Sequence, residues 1–158
     1  MGSYRTMNSY SPNMTAEELI LESKLSEISR VPPWIERLAS LHAISSDTQF
    51  AMDLCLEEVI SNIIRHGYSS NADGVIRVQY LAHRDGFSTL VVEDEAPSFN
   101  PLVINNPPLP RSLEETTEGG RGIPLLKEFA DEVEYQPKPI GNRLILKFLS
   151  PGSSRAAI

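Results

Sequence analysis

The chain is poor in cysteine and histidine, and this excludes two classes of site. Cys55 is the only cysteine among 158 residues, so no internal disulfide framework can form, and a single thiol is typical of a reducing compartment. The histidines, His42, His66 and His83, are scattered along the sequence. Because they lack the Cys/His spacing of zinc ligands, we expect no structural zinc site.

Long apolar runs and an excess of basic residues are also missing. No run of about 18 apolar residues occurs, so we expect neither a membrane-spanning helix nor a membrane partner. Residues 1–14 are polar and lack the apolar run of a signal peptide, so we expect a cytoplasmic protein. The 14 Lys and Arg against 21 Asp and Glu give a net charge of −7. This acidity argues against direct binding of nucleic acid, whose phosphates need a basic face.

What the chain does have is enough apolar sequence for one core, with 41% apolar and 22% charged residues. We predict a flexible leader over residues 1–16, one domain over 17–149 and a loose tail over 150–158. The periodicity predicts, in order, a strand over 18–25, a helix from Pro32 to Leu41, a longer helix from Ser46 to His66, a hairpin over 76–94, a loop over 96–118, a helix after Gly122, and strands over 133–136 and 143–149. This order favours an α+β fold, a two-layer sandwich whose mixed, mostly antiparallel sheet has helices on one face.

The longer helix carries a polar column beside its apolar stripe. Glu58, Asn62 and His66 stand at i, i+4 and i+8 and share one edge of an α-helix. A carboxylate and an amide placed there can share a cation, a polarised water or a ligand hydroxyl. The alternative is a solvated edge of an amphipathic helix, because spacing of this kind alone carries little information.

A second polar position ends the predicted hairpin. By the alternation of a strand, Leu90, Val92 and Asp94 point to one face of the sheet, and Asp94 comes last, before a proline-rich loop. A buried carboxylate at this place needs hydrogen-bond donors, and the exocyclic amine of a ligand would serve. The alternative is an ordinary turn aspartate.

A glycine-rich run precedes the third helix. Gly119, Gly120 and Gly122 allow the backbone to approach a ligand closely, and the helix that follows offers unpaired N–H groups, as in a phosphate cradle. The run lacks both the Gly-Lys-Ser/Thr ending of a P-loop and the βαβ unit of a dinucleotide fingerprint. A flexible loop before a helix start is the alternative.

Together, and in this order, these segments resemble the boxes of the GHKL ATPase superfamily. The segments are residues 58–68, 93–101 and 119–123, followed by 131–133. Within the superfamily, the chain is similar to the small bacterial anti-sigma-factor serine/threonine kinases, also called anti-sigma regulatory factors. The resemblance covers roughly residues 17–149, and the His-Gly-Tyr ending of its first box is quite specific.

The resemblance implies a Bergerat-type ATP-binding fold with ATP and Mg²⁺ as cofactors. Glu58 matches the catalytic general base, Asn62 the Mg²⁺ ligand, and Asp94 the carboxylate that accepts the adenine amino group. Residues 96–118 match the ATP lid. The other cofactor-binding positions that the resemblance implies are His66, Ala96, Gly120, Arg121 and Gly122.

Two positions depart from the family pattern. The glycine that usually follows the adenine aspartate by two residues is Ala96 here. If the backbone needs a positive φ there, alanine costs about 1–2 kcal/mol; if it does not, the methyl group crowds the base. Where the kinases often have an arginine for the γ-phosphate, this chain has Glu118, and a carboxylate near phosphate is unfavourable. Arg111 or Arg121 could take the place of that arginine.

The resemblance also implies partners and a function. The first hypothesis is a kinase that phosphorylates a Ser or Thr of an anti-sigma-factor antagonist, a small STAS-type protein, and sequesters a sigma factor; a homodimer is a further implication. The second hypothesis is a non-catalytic, nucleotide-dependent protein-binding module, which Ala96 and Glu118 favour. The third is a plain ATPase.

Overall fold

Five strands form a single sheet in the computed structural model, which describes residues 15–68, 73–97 and 122–150. In chain order the elements are β1 (Thr15–Glu22), a 3₁₀ helix (Leu25–Arg30), α1 (Val31–His42), α2 (Ser46–Asn62), a π-helical turn (Ile63–Gly67), β2 (Val75–Ala82), β3 (Phe87–Asp94), α3 (Gly122–Phe129), β4 (Glu132–Pro137) and β5 (Asn142–Leu149). The predicted leader, the loop over 96–118 and the predicted tail lie almost wholly outside the described residues.

The strand order in the sheet is β1-β2-β3-β5-β4. The two hairpins, β2–β3 and β4–β5, meet where β3 pairs with β5, and β1 pairs with the other side of β2. The α+β prediction is confirmed. The sheet was expected to be mixed, but each of these four pairings is antiparallel, since β1 returns through α1 and α2 to run opposite to β2.

Local sequence sets the helix ends. Pro32 and Pro33 occupy the first turn of α1, where a missing N–H group costs no helical hydrogen bond. Ala43 ends α1 in the left-handed conformation, with a φ of 52°. Ser45 caps α2 by accepting a hydrogen bond from the Thr48 N–H at 3.2 Å, one residue before the predicted start of that helix.

None of the helices in the described ranges is long and apolar enough to cross a membrane.

The core lies between the helices and one face of the sheet. Its large, fully buried side chains come from both layers: Leu21, Ile35, Leu38, Met52, Leu56, Ile60, Ile76, Tyr80, Leu90, Leu146 and Phe148. On the opposite face of the sheet, Glu93 pairs with Lys138 at 3.1 Å and with Arg143 at 2.8 Å. The core cluster lies on the helix side of the sheet.

Candidate functional site

A cleft lies between the helix layer and the end of the sheet where β3 finishes. The space inside it, including the open solvent at its mouth, is about 600 Å³. The described side chains and glycine that line it come from α2, the π-helical turn, α3 and three strands: Val59, Asn62, Ile63, Gly67, Val92, Asp94, Leu126, Tyr135, Asn142 and Leu144. The walls are therefore mostly apolar, and a few polar groups interrupt them.

Asp94 is the buried charge of this cleft. Its Oδ1 accepts a hydrogen bond from the Ala96 N–H and another from Asn142 Nδ2, each at 2.9 Å. Burial raises the pKa of the Asp94 carboxyl, and these two hydrogen bonds, together with the Lys138 charge, act in the opposite direction. Oδ2 accepts no hydrogen bond from the described part of the chain. The described residues thus fix one oxygen of the carboxylate and supply no donor to the other.

Two residues of the β4–β5 hairpin that no sequence pattern pointed to support Asp94: Asn142 bonds to it directly, and Tyr135 bonds to Asn142. The Asn142 amide also points at the Pro97 carbonyl, at 3.2 Å, and its Oδ1 accepts a hydrogen bond from the Tyr135 hydroxyl at 2.5 Å. Asn142 lies directly across from Asp94 in the β3–β5 register. Such a pair becomes visible only when the register between strands 48 residues apart in sequence is known.

The turn before β5 approaches Asp94 more closely still. Gly141 has a φ of +102°, and a Cβ added to it would lie 1.9 Å from the Asp94 carbonyl oxygen. Glycine is therefore required at this position both by the backbone conformation and by the contact. The hairpin that supplies Asn142 is seated directly against the end of β3.

The end of α2 differs from the predicted helix. The α-helix stops at Asn62, and residues 63–67 form a π-helical turn that the Tyr68 N–H closes on the Ile63 carbonyl at 3.0 Å. A π-turn advances the side chains differently from an α-turn, and such turns are frequent at functional sites. As a result, the predicted column of three polar side chains is broken after Asn62. Gly67 lines the cleft, whereas His66 is exposed and lies outside its wall.

The structure therefore brings together two of the predicted site residues. Asn62 and Asp94 both line the cleft, from the helix layer and from the sheet. Glu58 is half-buried, one helical turn before Asn62, and is not part of the wall. Gly122 begins α3, whereas Gly120 and Arg121 lie outside the described residues, as do Arg111 and Glu118.

Ala96, the departure from the family pattern, fits without strain. Of the non-glycine residues that the structure describes, only Ala43 has a positive φ, so Ala96 carries no such cost. Ala96 is buried, and its Cβ lies 3.1 Å from where a Cβ on Gly67 would stand. Ala96 is not among the residues that line the cleft. The methyl group thus packs against the π-helical turn, and the cleft keeps its space.

The cleft offers little metal-binding chemistry of its own. Within residues 15–68, 73–97 and 122–150, no group of three or more His, Cys, Asp and Glu side chains could hold a metal ion. The Asn62 amide oxygen is a hard donor of the type that Mg²⁺ accepts when phosphates and water complete its coordination. The donor set therefore fits a Mg²⁺ ion that arrives with a phosphate ligand.

The sequence profile described as a histidine kinase-like ATPase domain matches residues 21–148 of this chain. The chain belongs to this family. The match spans all three of the segments on which the resemblance to GHKL ATPases rested, and that resemblance is confirmed.

Two curated relatives of this ATPase domain carry functional names. The chain is 29% identical to the serine/threonine-protein kinase BtrW of Bordetella bronchiseptica over 113 residues, which are 72% of this chain and 79% of that protein. It is 27% identical to the anti-sigma F factor of Priestia megaterium over 123 residues, which are 77% of this chain and 76% of that protein.

Solved structures share the fold of the ATPase domain. The RsbU and RsbW domains from Mycobacterium tuberculosis superpose with a TM-score of 0.62 at 14% identity, over 86% of this chain and 32% of that longer chain. The histidine kinase domain of the Erythrobacter litoralis blue-light activated histidine kinase superposes with a TM-score of 0.50 at 16% identity, over 80% of this chain and 60% of that one. These likenesses support the two-layer architecture.

Proposed function

We propose that this chain binds ATP in the cleft and acts as a serine/threonine kinase of the anti-sigma-factor type. The observation that supports nucleotide binding is Asp94, a buried carboxylate in the wall of an apolar cleft, with one oxygen held by two protein donors. The kinase activity and the anti-sigma role are supported by the names of two relatives, a serine/threonine-protein kinase and an anti-sigma F factor.

Adenine suits the chemistry of the cleft. Apolar side chains from both layers, among them Val92 of β3 and Leu126 of α3, offer surfaces for a flat ring. The exocyclic amine would donate to Asp94 Oδ2, since Oδ1 already accepts two hydrogen bonds. A buried carboxylate oxygen without a donor is costly, so a ligand that donates a hydrogen bond to Oδ2 gains from this arrangement.

The phosphates would lie at the Asn62 end of the cleft. The Asn62 amide oxygen would hold Mg²⁺, which neutralises phosphate charge when it is bound. We further propose that Gly120, Arg121 and Gly122 lie beneath the phosphates, as the resemblance implies. His66 is exposed at the same end of the helix, and its contact with the nucleotide stays a prediction.

Glu58 is the proposed general base. Because it lies outside the wall of the cleft, a hydroxyl group presented by a second protein can approach it without entering the nucleotide pocket. The Glu58 carboxylate would take the proton of that hydroxyl while the hydroxyl oxygen bonds to the γ-phosphorus. ADP would leave with the electrons of the broken P–O bond. The proposed acceptor is a small STAS-type antagonist, and the proposed second partner is a sigma factor.

Calorimetric titration with ATP tests the nucleotide site. In Asp94→Asn the amide oxygen would accept the two protein hydrogen bonds, so the amide nitrogen would face the adenine amine, donor against donor. We expect affinity to fall about 10- to 100-fold. The matched control is Asp85→Asn, which removes an exposed turn carboxylate at the other end of β3. Equal affinities of the two variants, or no heat from ATP with the unmodified protein, would contradict the proposal.

A non-catalytic, nucleotide-dependent binding module is the second candidate, because Glu118 stands where the similar kinases often have an arginine for the γ-phosphate. Incubation with labelled ATP, Mg²⁺ and a candidate antagonist protein separates the two. A kinase labels the antagonist, and Glu58→Gln slows labelling by about 10²- to 10⁴-fold, whereas Glu57→Gln, on the exposed side of the same helix, leaves it unchanged. ATP binding without labelling favours the module, and phosphate release without an acceptor favours a plain ATPase.

A further inference from the structure

The hydroxyl group of Tyr68 joins three elements at the edge of the cleft. It accepts a hydrogen bond from the Glu95 N–H at 2.7 Å and donates one to the Val75 carbonyl at 2.9 Å. Tyr68 directly follows the π-helical turn, Val75 begins β2, and Glu95 follows the last residue of β3. One oxygen atom thus links the end of the helix layer to two neighbouring strand ends.

These two hydrogen bonds fix the backbone next to Asp94, the carboxylate proposed to bind adenine. Glu95 stands between Asp94 and Ala96, and the Ala96 N–H is one of the two donors to Asp94 Oδ1. The helix end from which Tyr68 reaches also supplies Asn62 and Gly67 to the cleft wall. We infer that Tyr68 is a positioning residue for the nucleotide, whose hydroxyl holds the Asp94–Ala96 backbone in register with the helix end that carries Asn62. This inference rests on the proposed nucleotide site.

The surroundings of the ring keep the hydroxyl in place. A Cβ added to Gly74 would lie 2.6 Å from three of the Tyr68 ring carbons, so the ring packs directly on the backbone that leads into β2. Burial raises the pKa of the Tyr68 phenol above its ordinary value. The hydroxyl therefore keeps its proton and remains a donor to the Val75 carbonyl throughout the physiological range.

If Tyr68 positions the Asp94 backbone, its loss should change how ATP affinity depends on pH. Lys138 acts on Asp94 from the hairpin side, and Glu95 is the next residue along the chain. The Tyr68 phenol keeps its proton, and Tyr135 donates its hydroxyl hydrogen to Asn142. The groups that line the cleft from α2, the π-helical turn and α3 are uncharged. If the 94–96 backbone loosens, the Ala96 hydrogen bond weakens and the pKa of Asp94 rises further. The amine of the base bonds more strongly to an ionised carboxylate than to a neutral carboxyl group. On acidification, ATP affinity would therefore begin to fall at a higher pH.

Tyr68→Phe and Tyr80→Phe form a matched pair for the test. Each removes one hydroxyl and keeps the ring, but the Tyr80 hydroxyl bonds to Ser88 at 2.9 Å, near the opposite end of the hairpin from Asp94. ATP affinity is measured by calorimetry between pH 5 and 8 on the full chain. We expect Tyr68→Phe to weaken ATP binding about five- to tenfold and to move the acid limb of the affinity profile to higher pH. Tyr80→Phe should keep the affinity and profile of the unmodified protein.

The outcomes separate this inference from the proposal on which it rests. If the unmodified protein binds no ATP, the nucleotide site itself is wrong. If it binds ATP and Tyr68→Phe matches Tyr80→Phe in affinity and pH profile, the positioning role is overturned. Gly74→Ala is a second variant with the hydroxyl intact, because its new Cβ must displace the Tyr68 ring. It should reproduce the weaker affinity and the shifted acid limb, and unchanged values would contradict the inference.

Discussion

The two ends of the cleft differ in how their polar groups are held. At the sheet end, Asp94 is buried, its Oδ1 accepts two hydrogen bonds, and Asn142 is itself fixed by Tyr135. At the helix end, the side chains of Asn62 and Glu58 are half-buried and make no hydrogen bond within the described ranges. The sheet end is therefore organised before a ligand arrives, whereas the helix end leaves its polar groups free to rearrange.

This difference fits two proposed roles, recognition of the base at the sheet end and chemistry at the helix end. A fixed carboxylate in an apolar cleft discriminates between bases at little cost in entropy on binding. In the proposed mechanism, the groups that bind phosphate, metal and a partner hydroxyl change partners during the reaction. Side chains without a hydrogen bond to the described residues can do so without breaking one of those bonds. The comparison predicts that substitutions at the sheet end alter stability and affinity together, while those at the helix end alter function alone.

Gly141→Ala should have the largest effect. The positive φ and the clash that a new Cβ would make with the Asp94 carbonyl oxygen both oppose a side chain, and we expect unfolding to become easier by about 3–5 kcal/mol. Chemical denaturation and ATP titration measure the two consequences. Gly86→Ala, at another positive φ in the distant β2–β3 turn, should cost stability but leave ATP affinity unchanged. Wild-type affinity in Gly141→Ala would break the proposed link between this turn and the base site.

Asn142→Ala should come next, with a pH signature. Its loss leaves Asp94 with one donor among the described residues and removes the acceptor of the Tyr135 hydroxyl, so we expect an affinity loss of about tenfold. Because the Asn142 bond lowers the pKa of Asp94, removing it raises that pKa. The acid limb of the ATP affinity profile should therefore shift to higher pH. Gln136→Ala on the same hairpin is the control, and an unshifted limb in Asn142→Ala would refute the role of the amide.

The same contrast explains what the sequence could predict. The alternation of β2 and β3 predicted the hairpin to within one residue and placed Asp94 on the covered face, because burial on one side imposes a period of two. The predicted column failed at His66, since nothing in the apolar spacing distinguishes a π-turn from an α-turn. Asn142 was missed because its role depends on strand register, which local periodicity does not determine.

The first strand shows a second limit of periodicity. It was expected over residues 18–25 but spans Thr15–Glu22, and Leu25 instead begins the 3₁₀ helix. The apolar residues of this stretch alternate only in part. Tertiary contacts decide such a boundary: Leu19 and Leu21 face the core, while Ile20 and Leu25 are exposed.

Asn62→Ala tests the helix end of the comparison. Because the Asn62 side chain makes no hydrogen bond to the described residues and alanine favours a helix, we expect stability to change by less than about 0.5 kcal/mol. ATP affinity should fall about tenfold with Mg²⁺ present and stay nearly constant without it, since the amide acts through the ion. His66→Ala, outside the cleft wall, should have a smaller effect. A large loss of stability in Asn62→Ala would show that this end is organised as firmly as the other.

Asp53→Asn should have the smallest effect and should leave the cleft untouched. Burial first, and then the charges of Glu57 and Glu36, raise the pKa of Asp53 to about 6, and its Oδ1 is buried without a hydrogen-bond partner in the described ranges. A carboxyl whose pKa is raised on folding is favourable while it is protonated and costs stability as pH rises through about 6. The variant should therefore be more stable than the unmodified protein at pH 7.5, by about 1 kcal/mol after allowance for solvent screening. That gain in stability should shrink towards pH 5, and chemical denaturation at the two pH values measures it. The variant and the unmodified protein should bind ATP with equal affinity at both pH values. A gain that grows on acidification would reverse the assigned sign, and a change in ATP affinity would mean that Asp53 is coupled to the cleft.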